Sequence, residues 1–508
     1  MNTTTHKQKF DWRQWLPIAL ILLLATGLYL YQLGTESMWI DELYSINDAK
    51  GIFPNPGFTR PVYYILLRVW MLFGTSDSWL RSLSVVFGLA SVFLTYQLGR
   101  RVAGEATGLI AALLLTLSPL FINYAQMVRM YSLSTCLAIA GSLALVYALE
   151  NPTNSLMAWW ACTRVLMYLT APVNVTLLLP DVLIFGLKFR KQRGVLLRFG
   201  KWLLLVIILW LPSVWEILSS RVSARFFKSA IDAKQETDKQ SYPSLREVIR
   251  KLKNFTAFPY PSPSKAVSLF FRVYNIILVF LLSFSVVTKH RSGKLLWIAA
   301  WALIPGTILF LISSPGLWNT DRYILFLCPY VLILLAAGFM RLWIWQPTVA
   351  IVIAIIYLVA VSNGLVRYYT VQDHQDWRGV AQVINTMEKP GDQILIDERL
   401  GIMEEKIATS LAYYYHGVAP IYSNREICWF PQKSSLEEAL GNLLSIERLW
   451  LICGNDFDDK AFQNTFGNKL QLQKHWEFNN NLDFYSNGND LMHLFLATPN
   501  SKIEQKNQ

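Results

Sequence analysis

Long apolar runs succeed one another along most of this chain, each closed by a short polar or charged break. A helix needs about 20 apolar residues to cross the ~30 Å hydrocarbon core of a bilayer, where backbone polar groups find no water. Such runs fall at residues 16–33, 80–98, 108–122, 133–149, 156–172, 175–187, 202–218, 267–287, 295–312, 323–340 and 348–366, which gives about eleven spans. Hydrophobic residues make up 53% of the 508 positions and charged residues only 16%. An ordinary soluble domain is excluded, and the expected class is a polytopic α-helical membrane protein.

The breaks carry the topology. Lys7, Lys9 and Arg13 precede the first run and no small-residue cleavage site follows it, so residues 16–33 read as a retained helix with a cytoplasmic N-terminus. Residues 62–73 are apolar but too short to span, about 18 Å at 1.5 Å per residue, and read as an interfacial helix on the outer side. Arg100 and Arg101, the cluster from Lys188 to Lys201, then Lys289, Arg291, Lys294 and Arg341 all fall in cytoplasmic loops. Counting residues 62–73 as a span would move them outside, against the positive-inside rule. The net charge of +12 is therefore topological, and no nucleic-acid partner is implied.

Residues 1–366 are expected to form the membrane domain, with outer loops at 34–79 and 219–266, and residues 367–508 an extracytoplasmic α/β domain. The tail offers a helical stretch at 376–387 and strand-like runs at 393–396, 420–423, 449–453 and 491–497. Of the five cysteines, Cys428 and Cys453 fall in this tail and could pair in an oxidising compartment. No CxxC or other zinc spacing is present.

Charged residues gather in three outer loops: Asp41-Glu42 with Arg60, Arg129 with Tyr131, and Asp321-Arg322-Tyr323. Arginine presents a planar, permanently charged fork to phosphate oxygens, and a carboxylate at the water boundary can take a proton from an acceptor. Two adjacent carboxylates perturb each other, so one can serve as base and the other as orienter. The residues equally allow a plainer account. Asp41 and Glu42 suit the first turn of a helix, Arg129 and Tyr131 suit the headgroup belt, and Asp321-Arg322 suits a local ion pair.

Five local patterns carry a resemblance: Met38-Trp39-Ile40-Asp41-Glu42, Arg60-Pro61-Val62-Tyr63-Tyr64, Trp79 to Ser84, Tyr124 to Tyr131, and Asp321-Arg322-Tyr323 to Pro329. The chain resembles GT-C glycosyltransferases that use polyprenyl-phosphate sugars, in particular family 39-like bacterial enzymes related to protein O-mannosyltransferases and lipid A aminoarabinose transferases. Asp376-Trp377-Arg378 gives a weaker echo in the tail. The resemblance implies Asp41 as catalytic base beside Glu42, with Arg322, Arg129 and Arg60 toward the donor phosphate. It places Tyr63, Tyr64, Tyr131 and Tyr323 in the substrate pocket. The implied reaction is one inverting displacement from a polyprenyl-phosphate sugar to a lipid, protein or glycan acceptor, with membrane lipids around the site.

Departures from the family pattern fall where a metal would be held. Arg60 stands where relatives carry His, Met127 where they carry Glu, and Tyr168-Leu169-Thr170-Ala171-Pro172 replaces a His-bearing run. No metal ligand is therefore assigned, although a divalent cation stays open as a cofactor. A transporter or flippase is the alternative class, kept open by Pro172, Pro212 and Pro305 within apolar segments. Transport favours charges near the midplane and repeated halves; here charge collects at one face and no halves repeat. A receptor-like protein with a sensing outer domain is a third reading.

Overall fold

The computed structural model describes residues 14–51, 60–219, 245–258, 264–287, 293–312, 321–372, 374–397, 407–424, 447–454, 457–467, 470–479 and 491–500. Lys289, Arg291, Cys428 and most of the loop 219–266 lie outside these. The chain divides into two compact units, residues 1–33 with 48–368, and residues 34–47 with 369–508. The segment 34–47, read from sequence as part of the membrane domain's first outer loop, thus groups with the C-terminal unit.

The first unit is helical. Its elements begin with α1 (Leu16–Leu30), continue after α2 (Ile40–Gly51) with α3 (Pro61–Trp70), α4 (Asp77–Ala103), α5 (Glu105–Thr116), α6 (Pro119–Ala125), α7 (Tyr131–Glu150), α8 (Asn154–Tyr168), α9 (Leu178–Phe189) and α10 (Arg193–Ser219), and end with α11 (Leu245–Asn254), α12 (Lys265–Val287), α13 (Leu295–Ile312), α14 (Cys328–Trp345) and α15 (Pro347–Thr370). Among the described residues, seven helices are long and apolar enough to cross a bilayer. α5 and α6 make an eighth if their 67° bend at Leu117-Ser118 is counted as one broken span. Pro119 opens α6, and its missing N–H is what lets the chain turn there. Shorter apolar helices occupy Leu16–Leu30 and Leu295–Leu311. α3 has 10 residues, about 15 Å of helix, too short to span.

Buried polar groups pin the bundle. Arg164 on α8 and Asp181 on α9 form an ion pair with neither side chain exposed to solvent, Nε to Oδ2 at 2.7 Å. Trp160 and Trp301 donate their indole N–H groups to the same carboxylate at 2.8 and 2.7 Å. Arg164 also donates to Ser142 Oγ and to the Ala138 carbonyl, each at 2.9 Å. Four helices, α7, α8, α9 and α13, therefore meet on one satisfied charge pair, as a low-dielectric interior requires. Gly141 makes room for it, since a Cβ there would stand 2.7 Å from Arg164 Nη1. At one end of the unit, Arg101 and Lys294 both engage Glu150, Lys294 at 2.6 Å. The two residues assigned from sequence to one face do share a face.

In the second unit, α16 (Trp377–Met387) leads into β1 (Asp392–Asp397), then α17 (Ile407–Tyr414), β2 (Ile421–Asn424), β3 (Arg448–Cys453), α18 (Asp459–Phe466), β4 (Leu470–Asn479) and β5 (Leu491–Pro499). The strands order as β2-β1-β3-β5-β4. β1 pairs in parallel with β2 and β3, and β5 pairs antiparallel with β3 and β4. α16 and α17 cover one face through Val380, Ile384 and Leu411 on Ile394, Trp450 and Leu494. α18 covers the other, Phe462 and Phe466 packing on Leu451 and Phe495. β4 was not expected from sequence. A bulge between Leu472 and Lys474 moves its even-numbered side chains from one face to the other, so Leu470 and Leu472 pack with α18 while Trp476 and Phe478 pack with α16. That switch breaks the alternation by which a strand is read. Cys453 is disulfide-bonded.

Candidate active site

Asp41 and Glu42 sit in the first turn of α2, and their side chains take different roles. Glu42 is fully buried, and its Oε2 accepts the backbone N–H of Trp39, the residue before the helix, at 2.9 Å. This is the carboxylate half of a capping box, which satisfies a donor the helix cannot. Asp41 is half-buried. Its charge, after burial, is the second cause that pushes the Tyr44 phenol up to about 12.

The approach to α2 is held within the second unit. Arg378 Nη1 donates to the carbonyls of Gly34 and Thr35 at 2.8 and 3.2 Å, and Nη2 to that of Glu36 at 3.2 Å. Ser37 Oγ accepts the Arg378 backbone N–H at 3.0 Å and donates to Asp376 Oδ1 at 3.2 Å. Met38 N–H reaches the Tyr414 hydroxyl at 2.6 Å. His374 pairs with Glu36 at 2.6 Å and stacks on Trp39. The Asp376-Trp377-Arg378 run is thus the clamp on the segment 34–39 that leads to Asp41.

In the first unit, Arg129 is buried in the corner between α6 and α7. Its guanidinium lies over the Tyr131 ring, 5.6 Å from the centroid, and Nη2 is 3.5 Å from the Tyr131 hydroxyl. Ser84 Oγ donates to its carbonyl at 3.2 Å. The corner is fixed by Gln126, whose Nε2 donates to the carbonyls of Tyr29 and Tyr31 at 2.8 and 2.9 Å and whose Oε1 accepts from Tyr368. Tyr64 gathers the local charges. Burial raises its phenol pKa, the positive charges of Arg129 and Arg60 oppose that rise, and Asp48 adds to it by charge and by a hydrogen bond. Tyr63 is fully buried and packs edge-on against Tyr64.

Arg322 and Tyr323 lie on the short turn before α14, both half-buried, with the guanidinium 5.3 Å from the Tyr323 centroid. Asp321 is not the local partner of Arg322 that the sequence allowed. Its buried carboxylate meets Lys251 Nζ at 2.5 Å and accepts from Asn254 Nδ2 at 3.0 Å, which ties α11 down. Next to this tie, Ala257 comes so close to α15 that a Cβ on Gly364 would fall 1.7 Å from its carbonyl oxygen. Only glycine admits that approach.

The structure therefore brings Arg60, Arg129, Tyr63, Tyr64 and Tyr131 together in the first unit, sets Arg322 and Tyr323 on the turn before α14, and places Asp41 and Glu42 in the second unit. Asp48, exposed near the end of α2, was missed from sequence. Its signal was a carboxylate two turns beyond Asp41 on the same helix face.

Fold and site together define a multi-pass helical membrane protein with arginine–tyrosine clusters on its loops and a separate α/β unit. Comparison places that architecture: the chain shares its fold with ArnT and an archaeal oligosaccharyltransferase. It superposes on ArnT from Cupriavidus metallidurans in the apo state with a TM-score of 0.54 at 12% identity, covering 94% of this chain and 97% of that one. The Archaeoglobus fulgidus oligosaccharyltransferase in its apo form gives 0.52 at 10% identity, over 88% and 70%. Residues 60–217 match the family model of dolichyl-phosphate-mannose-protein mannosyltransferases. An uncharacterized protein of Aquifex aeolicus (strain VF5) is 30% identical over 122 residues, a match spanning 21% of this chain and 24% of that relative.

Proposed function

We propose that the protein transfers a sugar from a polyprenyl-phosphate-linked donor to a lipid, protein or glycan acceptor at the outer face of the cytoplasmic membrane. The observation that carries this reading is the buried Arg129, set with Arg60 around Tyr64, in a fold shared with ArnT, which has also been solved bound to undecaprenyl phosphate. Asp41 takes the proton of the acceptor hydroxyl or amine. The acceptor attacks the anomeric carbon, the bond from that carbon to the phosphate oxygen breaks, and the bonding pair leaves with the polyprenyl phosphate. Arg129, Arg322 and Arg60 offset the charge that develops there. Glu42 orients Asp41 by fixing the turn that bears it. The disulfide at Cys453 supports an extracytoplasmic second unit.

Besides the prolines within helices, the buried Arg164–Asp181 pair leans toward a transporter, because intramembrane charges often mark transport paths. Both side chains are fully buried, and the pair with its two indole donors ties α8, α9 and α13 together, which suits a structural pin. The deciding experiment offers a panel of radiolabelled polyprenyl-phosphate sugars to membrane extracts, with wild type and Asp41→Asn. Labelled product is expected from one donor and should fall by at least about 100-fold in the variant. Folded wild-type protein that yields no product from any donor would overturn the reading.

A further inference from the structure

We propose that the second unit carries a divalent transition-metal site, unrelated to sugar transfer, formed by His475, Glu477 and His493. β4 and β5 pair antiparallel with Glu477 opposite His493 and His475 opposite Phe495. Beyond the bulge, His475 and Glu477 share a strand face, and His493 and Phe495 share the corresponding face of β5, the one α18 covers. The three side chains therefore converge from two strands.

Their ligand atoms are already close. His475 Nε2 and His493 Nδ1 stand 2.9 Å apart, Glu477 Oε1 lies 4.0 Å from His493 Nδ1, and all three donor groups fall within 4.8 Å of one another. Tetrahedral zinc with ligands at about 2.0–2.1 Å sets them roughly 3.3 Å apart. The observed separations bracket that value, so rotamer adjustments on the order of an ångström, mostly of the exposed Glu477, close the site. Two imidazoles and a carboxylate suit zinc and its neighbours better than magnesium or calcium.

The surroundings add a second, independent sign. His475 Nδ1, the nitrogen turned away from the site, lies 2.8 Å from the carboxylate of Asp459 on α18. A carboxylate on the far nitrogen fixes tautomer and ring orientation in metal-bound histidines. The ring is further set by stacking on Phe495, centroids 4.4 Å apart. With Nδ1–H given to Asp459, His475 Nε2 accepts the proton-bearing Nδ1 of His493. His493 is 4% exposed and Glu477 56%, which leaves an entry path on the carboxylate side. Three protein ligands leave a fourth position to water.

The test uses the full chain in detergent, without a histidine tag, stripped with chelator and titrated with zinc by calorimetry, with cobalt as a spectroscopic probe. One equivalent of zinc is expected, with cobalt giving the absorption of a tetrahedral site. His475→Gln and Glu477→Gln should each weaken binding at least tenfold. Asp459→Asn should weaken it by about tenfold as an outer-shell change, and the exposed Glu477 and Asp459 variants guard against a folding artefact. No zinc above buffer in wild type, or zinc bound equally by wild type and all three variants, would overturn the proposal.

Discussion

The carboxylate of Glu42, fully buried, accepts the backbone N–H of Trp39 at 2.9 Å, while its neighbour Asp41 stays half-buried in the same turn. Two adjacent acids thus separate into a buried capping carboxylate and a half-buried neighbour, the one proposed as the base. Glu42→Ala leaves the Trp39 amide without its acceptor, a loss of about 1–3 kcal/mol, and should lower the thermal midpoint together with transfer. Asp41→Asn should abolish transfer at an unchanged midpoint. A Glu42→Ala protein as stable as wild type would show that the cap contributes nothing.

Arg378 holds the turn before Asp41 by three donations to the successive carbonyls of Gly34, Thr35 and Glu36. Lysine offers one point charge and no planar fork, so Arg378→Lys should behave nearly as Arg378→Ala. Both are expected to lower kcat for transfer by tenfold or more with little change in donor KM, because the donor phosphate is assigned to other arginines. Full activity in Arg378→Lys would remove it as a positioning residue.

Arg129 combines burial with a stacked Tyr131, and its proposed ligand is the donor phosphate. Arg129→Gln should raise donor KM or the Kd for polyprenyl phosphate at least tenfold, with Arg129→Lys intermediate. The measurement is lipid-phosphate binding by fluorescence quenching in nanodiscs, read beside a thermal melt that separates misfolding from lost affinity.

Much of this architecture was legible because hydrocarbon imposes one rule on the backbone, and runs such as 133–149 and 348–366 have no other account. Charge then assigned sides, and the meeting of Arg101 and Lys294 on Glu150 agrees with that bookkeeping. What stayed hidden depends on contacts distant in sequence. Asp321 reads as the partner of Arg322 until Lys251 is folded against it. β4 is hidden by its own bulge. Arg164 and Asp181 stand singly in apolar runs, and only packing reveals that they share one network.

Lys253 on α11 gives a pH signature. Burial, and next the charge of Arg250, pull its ammonium from the ordinary 10.5 down to about 8, although its position 5.6 Å from the Phe271 centroid favours the charged form. Between pH 8 and 10.5 the unfolded chain binds a proton that the folded chain does not, so stability rises with pH across that window. Below pH 8 both states are protonated and the folded state carries the full cost of the buried charge. Lys253→Met should raise the midpoint at pH 7 and flatten its rise between pH 8 and 10.5. Parallel profiles for the two proteins would sink this account.

The Arg164–Asp181 pair predicts asymmetric mutant costs. Removing one partner leaves the other charge buried and uncompensated, a loss of about 3–5 kcal/mol, and Trp160 and Trp301 lose their acceptor if Asp181 is the one removed. Arg164→Met and Asp181→Leu should each reduce the yield of monodisperse protein and the thermal midpoint in detergent. The double variant should recover part of the Arg164→Met loss, because a neutral pair removes the isolated charge. Recovery should be incomplete, since the two indoles stay without the acceptor they now share. Single variants that leave the midpoint unchanged but alter substrate turnover would instead assign the pair to a transport path and favour the transporter reading.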